Sequence, residues 1–267
     1  MMSLRWWCHR PGRVQHVWVW ALLAVVLCVP LGFALYVYVL YFYVWEPKQD
    51  FCMEDAWYAL RAHGAEVGPF PRDKLGPTGQ PILSWRRICA DGDSGPRLGD
   101  RNAPWNAPSN AMAAKGGCLT FCFFRPPWII DQLFPGYYPQ TRVLAISGPD
   151  TAFDPGRETA LRDLPPNLIL LVEVWGTGIN WLEPGDIDVR DWRYLRMGGR
   201  HGRGCWLLFA DGILAFVRSD VPLENVKRFC TITSAKKSNR EELLGPYIVE
   251  ARNLKREDYK LERPLIP

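Results

Sequence analysis

Residues 205–219 read CWLLFADGILAFVRS, with two apolar runs, Cys205–Ala210 and Ile213–Val217, flanking Asp211-Gly212. An Asp-Gly pair between β-prone runs favours a tight turn with positive φ at both central positions, so this stretch is predicted to be a β-hairpin. Working outward, further strands are expected at CLTFCFF (Cys118–Phe124), RVLAIS (Arg142–Ser147) and the longer LILLVEVW (Leu168–Trp175). VPLENVKRF (Val221–Phe229) reads as a short helix behind the hairpin. Upstream, FCMEDAWYALRAH (residues 51–63) sets Met53, Trp57 and Leu60 at helical spacing, and Cys52, Ala56 and Ala59 widen the same face. Glu54, Asp55 and Arg61 are expected on the opposite face, and Gly64 at the stop. Residues 64–140, rich in Gly and Pro, read as turns and loops, with a short ordered segment at ILSWRRICA and a helical turn ending RLGDRNAPWNAPSNAMAAK. The tail from Lys236 to Pro267 alternates charges, ends in prolines and is expected to be only partly ordered.

The N-terminal part is different in kind. Val17–Trp45, VWVWALLAVVLCVPLGFALYVYVLYFYVW, is a run of 29 residues without a charge. A bilayer core takes roughly 20 apolar helical residues. Trp18 and Trp20 at one end and Tyr41, Tyr43 and Trp45 at the other fit two aromatic belts. The run is too long, and ends in residues too bulky, for a cleaved signal peptide. The sequence therefore predicts an uncleaved transmembrane helix over 17–45, with Pro47 breaking the chain after it. Arg5, Arg10 and Arg13 precede the run, whereas Glu46, Lys48 and Asp50 follow with mixed sign. The excess of positive charge on the N-terminal flank predicts a cytoplasmic N-terminus at residues 1–16 and an exported, periplasmic domain at 46–235, leaving the charged tail at 236–267. The expected location is the cytoplasmic (inner) membrane, crossed in a single pass.

Composition narrows the function. In 267 residues, 48% are hydrophobic and 13% aromatic, which excludes disorder as the main state. The net charge of +4 owes most to the three N-terminal arginines; residues 46–267 hold 29 basic and 28 acidic residues. A near-neutral body argues against nucleic acid as a partner, even with Arg200 and Arg203 among the glycines of GGRHGRG. No Gly-x-Ser-x-Gly, Walker or His-Glu-x-x-His motif is present. Six of the eight cysteines (Cys52, Cys89, Cys118, Cys122, Cys205 and Cys230) fall in the predicted exported part, either as disulfide partners or as buried thiols.

Certain blocks recur in a recognisable order: Ser84-Trp85-Arg86, Pro104-Trp105 with Asn110, Gly148-Pro149 with Thr151-Ala152-Phe153, Val172-Glu173, Trp181 with Pro184, and His201 nine residues before Asp211-Gly212. The set resembles a planctomycete pilin-like family whose domain of unknown function carries a His-x9-Asp-Gly signature. The resemblance spans roughly residues 50–230. It implies an α+β fold: an N-terminal transmembrane helix followed by a pilin-like head with an antiparallel sheet. It brings no enzymatic activity and no cofactor, and it implies a structural role for Ser84, Trp85, Arg86, His201, Asp211 and Gly212. One departure concerns the leader. Gly12 is followed by RVQHV, so Val17 stands where pilins carry a glutamate, which argues against prepilin processing.

Two residue sets invite chemistry. His201 reads either as a metal ligand or base, near Asp211 or Glu173, or as a ring that holds its loop by hydrogen bonds; the second reading is preferred, because nine intervening residues in a hairpin separate it from the turn. Glu183, Asp186, Asp188 and Asp191 in WLEPGDIDVRDW are candidate calcium ligands that lack full EF-hand spacing, the alternative being turn carboxylates paired with Arg190 or Arg193. Most of the tryptophans of the head are expected in its core. The expected function is non-catalytic: a membrane-anchored pilin-like protein serving envelope assembly or scaffolding, with the lipid bilayer and other pilin-like or envelope proteins as partners. The alternative is an envelope module that binds a glycan, a peptide or calcium.

Overall fold

The computed structural model describes residues 12–39, 49–64, 68–90, 99–116, 140–198 and 202–255. The chain divides into two compact units, Met1–Gln49 and Asp50–Pro267. The described part of the first is one helix, α1 (Gly12–Val39, 28 residues), with Pro30 inside it. From Trp20 to Leu23 and from Val25 to Tyr36 every described residue is exposed, and nearly all are apolar.

This corrects the expected fold class. Among the described residues, no helix is long and apolar enough to cross a membrane. The stretch expected to span, Val17–Trp45, runs past the described residues of α1. The expected break at Pro47 lies outside the described residues.

The second unit mixes helices with two sheets. It opens with α2 (Gln49–Ala62), at the position expected from its periodicity. Gly64, with φ +91°, ends the helix by bonding its amide to the Arg61 carbonyl at 2.9 Å. A two-stranded sheet, β1 (Lys74–Leu75) with β2 (Pro81–Leu83), leads into α3 (Trp85–Cys89). Ser84 is the N-cap of α3, its hydroxyl accepting from the Arg86 amide. A 3-10 turn (Pro108–Asn110) and α4 (Ala111–Gly116) follow.

The main sheet has six strands: β3 (Val143–Ser147), β4 (Ile169–Glu173), β5 (Ile187–Asp188), β6 (Gly204–Phe209), β7 (Ile213–Arg218) and β8 (Ile248–Asn253). Their order is β5-β3-β4-β6-β7-β8, and every neighbouring pair is antiparallel except β3 with β5. Short helices at Leu223–Lys227, Ile232–Lys237 and Arg240–Leu243 link β7 to β8.

Alternation along the strands sorts the core into two layers. Val143, Ala145, Leu168, Leu170, Trp206, Leu208 and Leu214 pack with Met53, Ala56, Trp57 and Leu60 of α2. Their neighbours Leu144, Ile146, Ile169, Val172, Cys205, Leu207, Phe209, Ala215 and Val217 pack with Val226, Phe229 and Leu244. Both sheet faces are therefore covered, which is why β4 and β6 read as almost unbroken apolar runs.

Several local expectations change. The hairpin forms, but only Gly212 (φ +80°) has positive φ, and its amide donates to the Phe209 carbonyl at 2.9 Å. The loop is thus three residues, Ala210 to Gly212, a length that needs one left-handed residue where the expected turn needs two. Glu54 is buried and not on a solvent face, because Arg252 of β8 meets it at 3.1 Å. The tail is ordered through β8, a strand of mixed polarity paired along β7. Of the head tryptophans, Trp57, Trp85, Trp181 and Trp206 are buried, Trp105 and Trp192 half-buried and Trp175 exposed. Trp128 and the expected strand Cys118–Phe124 lie outside the described residues.

Candidate functional site

Among the described residues of the head, a dense polar cluster centres on Arg86, whose side chain is 0% exposed. A guanidinium in apolar surroundings has to be paired and hydrogen-bonded, or its desolvation goes uncompensated. Here Nη1 meets Asp186 Oδ1 at 3.0 Å, Nε donates to the Trp181 carbonyl at 3.3 Å, and Nη2 donates to the carbonyls of Glu183 (2.8 Å) and Gly185 (3.2 Å). One side chain of α3 thereby holds the whole 181–186 turn. Asp186 also accepts from the Trp85 indole at 3.0 Å and from the Ala145 amide of β3 at 2.9 Å. Asp73, just before β1, accepts from the Trp85 amide at 2.8 Å. The cluster joins β1, α3, β3 and the loop before β5.

Its electrostatics are shared among three charges. Burial lifts the Asp186 carboxyl from 3.8 to about 7; Arg86 opposes that rise, Asp73 adds to it, and the hydrogen bonds from Ala145 and Trp85 oppose it. Burial likewise raises Asp73, against the Trp85 amide and Arg86.

The other sequence blocks also turn into fastenings. The Asn110 amide donates to the carbonyls of Asp100, Ala103 and Pro104, closing the 99–110 loop. Trp181 donates its indole proton to Ala113 of α4 at 3.1 Å. In the Gly148-Pro149-Asp150 turn, Asp150 holds φ +62° and accepts from the Thr233 amide at 2.9 Å. Glu173 accepts from the Trp206 amide at 3.3 Å. Asp211 bonds the Ile213 amide at 3.0 Å and Arg240 at 2.8 Å. His201 lies outside the described residues.

The four candidate calcium ligands are not brought together. Glu183 accepts from the Asn180 amide, Asp186 is held by Arg86 and Trp85, Asp188 grips Arg190, and Asp191 pairs with Arg193 at 3.6 Å. The Arg190 partner holds the Asp188 carboxyl below its ordinary range. Among the described residues no three His, Cys, Asp or Glu side chains are grouped to hold a metal ion. Cys205 and Cys230 are buried free thiols, and burial pushes both well above the ordinary thiol range. Cys118 and Cys122 lie outside the described residues. A small recess of about 200 Å³ beside α3 is lined by Lys74, Leu83, Arg87, Ile88 and Arg101, three cationic side chains and two apolar ones.

Sequence reasoning had singled out Trp85, Arg86 and Asp186, but not as one cluster; it passed over Asp73 and set Glu54 on the solvent face. No local signal marks such pairs: Arg86 and Asp186 stand 100 positions apart, and Glu54 and Arg252 are 198 apart. Comparison with protein-family models, curated proteins and solved structures finds no match to this chain.

Proposed function

We propose that the protein is a non-catalytic, membrane-attached scaffold of the cell envelope, with α1 as its lipid-seeking element and the α+β head as its displayed part. One observation carries the reading: the described side chains of α1 are apolar and exposed on every side of the helix, as with Leu22 (69%) and Leu31 (74%). A helix that docks on a protein presents one apolar stripe and keeps a polar face, whereas the described side chains of α1, between Trp20 and Tyr36, offer no polar face to water. An apolar lipid surface is an environment that suits such side chains. The scaffold role is supported by the described blocks on which the pilin-like resemblance rests, which serve as clamps and turns around the sheet.

Fractionation of cells making the full-length chain, beside a chain that starts at Asp50, tests this. The full-length protein is expected in the membrane pellet, retained through alkaline carbonate washing, and the shorter chain in the supernatant. A full-length protein found in the soluble fraction would defeat the reading. Cross-linked capture from envelopes then tests the scaffold role, with other pilin-like or envelope proteins as the expected catch. Recovery of the protein alone would remove it.

A further inference from the structure

β8 closes one end of the main sheet, and among the described residues no strand pairs with its outer edge. Val249, Glu250, Ala251 and Asn253 are exposed, Val249 at 64%. Such an edge is a row of amides and carbonyls ready to pair with another strand. Which groups point outward follows from the register. The Leu254 amide donates to the Gly212 carbonyl at 2.9 Å, and Arg252 and Glu250 stand opposite Leu214 and Phe216 of β7. In an antiparallel ladder, residues bonded to the neighbouring strand alternate with residues whose backbone groups face away. Arg252 and Glu250 therefore turn their backbone groups to β7, and Ala251 and Asn253 turn theirs outward.

The side chains that flank Ala251 carry opposite charge. Glu250 and Arg252 share one face of the sheet, where Arg252 meets Glu250 at 2.6 Å and Glu54 at 3.1 Å. The Glu250 side chain is still 48% exposed. Antiparallel pairing of two such edges about Ala251 sets this residue opposite its own copy, with its outward amide and carbonyl both bonded. The same register sets Glu250 of each copy directly opposite Arg252 of the other, an arrangement that stabilises a strand pair. Centring on Glu250 or on Arg252 would oppose like charges, and would call on backbone groups already bonded to β7. A parallel, in-register pair would set each charge against itself. Charge and backbone parity thus select one register. Val249 has no register partner in β7, and the bulge there bends the strand, which keeps the contact short and the pairing weak.

We infer that the β8 edge is a self-pairing surface, through which two copies of this chain join antiparallel about Ala251 into one continuous sheet. The surface lies wholly within the second unit, and the inference stands apart from the reading of α1. Disulfide mapping on the full-length chain in detergent micelles tests it. Directly opposed, bonded residues of an antiparallel pair have Cα atoms roughly 5.5 Å apart, within the reach of a disulfide. Ala251→Cys is therefore expected to give, under mild oxidation, a dimer whose peptides are joined position 251 to position 251. Val249→Cys should not join to its own copy, since the two positions would lie about 13 Å apart along the strands. Ala251→Pro removes the outward N–H without removing a bond to β7, and should abolish the dimer seen by sedimentation. Glu250→Lys opposes like charges and should weaken the dimer by roughly tenfold. Self-linkage at position 251 no greater than at position 249, or a dimer that neither Ala251→Pro nor Glu250→Lys weakens, would overturn the inference.

Discussion

Arg86 shows how one residue can hold several elements at once. Its charge is stabilised only by the full set of acceptors around it, so deleting it strands Asp186 and three carbonyls in the interior. Arg86→Met should destabilise the head by about 3–5 kcal/mol, measured by urea unfolding. Arg86→Lys should recover little of this, since an ammonium cannot span the Trp181, Glu183 and Asp186 acceptors as a planar fork does. Gly212 makes a second test at this scale. Its φ is +80°, and a Cβ there would lie 2.8 Å from Lys255 Cγ and 3.1 Å from the Trp57 ring. Gly176 has a similar φ of +67° but open space around the added atom. Gly176→Ala should cost about 1 kcal/mol from backbone strain alone, and Gly212→Ala clearly more.

At the scale of elements, the attachment of α2 to the sheet is the main joint of the head. Met53, Ala56, Trp57 and Leu60 supply its apolar contact, and Glu54 adds an ion pair to Arg252, which itself lies 5.3 Å from the centre of the Trp206 ring. The expected helix was legible because its apolar spacing is local. Burial of Glu54 was not, because its partner comes from β8 and amphipathic patterning counts every carboxylate as polar surface. Trp57→Ala should cost about 3–5 kcal/mol through the cavity it opens. Glu54→Ala should cost less, about 1–3 kcal/mol, with Arg252 still paired to Glu250 at 2.6 Å. Limited proteolysis checks both, with cleavage expected first within α2. The hairpin gives a matching lesson. Its strands followed from composition, but the turn type depended on how far pairing runs toward the loop, and an Asp-Gly pair serves either a two- or a three-residue connection.

For the molecule as a whole, burial of both sheet faces sets the chemistry of the thiols. Cys205 and Cys230 sit in the layer opposite α2, both 0% exposed and with a raised cost of forming thiolate. A thiol reagent should leave both unlabelled in the native protein and label both in denaturant, as mass spectrometry of their peptides would show. Labelling under native conditions would mean that this layer opens. The second unit, from Asp50 onward, contains both core layers and the entire sheet. A chain starting there should unfold in a single cooperative step, with coincident loss of helix and tryptophan signals.

Sequence alone determined whatever depends on neighbours along the chain. The spacing of Met53, Trp57 and Leu60 marked α2, the β-rich runs at 142–147, 168–175 and 205–217 marked the central strands, and the charge-free stretch marked α1 as apolar. Tertiary structure decided what depends on residues far apart. It joined Arg86 to Asp186 and Glu54 to Arg252, and scattered the acidic residues of 183–191 among separate partners. The physical reason is common to these cases. Periodicity and propensity are local quantities, whereas the cost of burying a charge is settled only by the groups that the complete fold places around it.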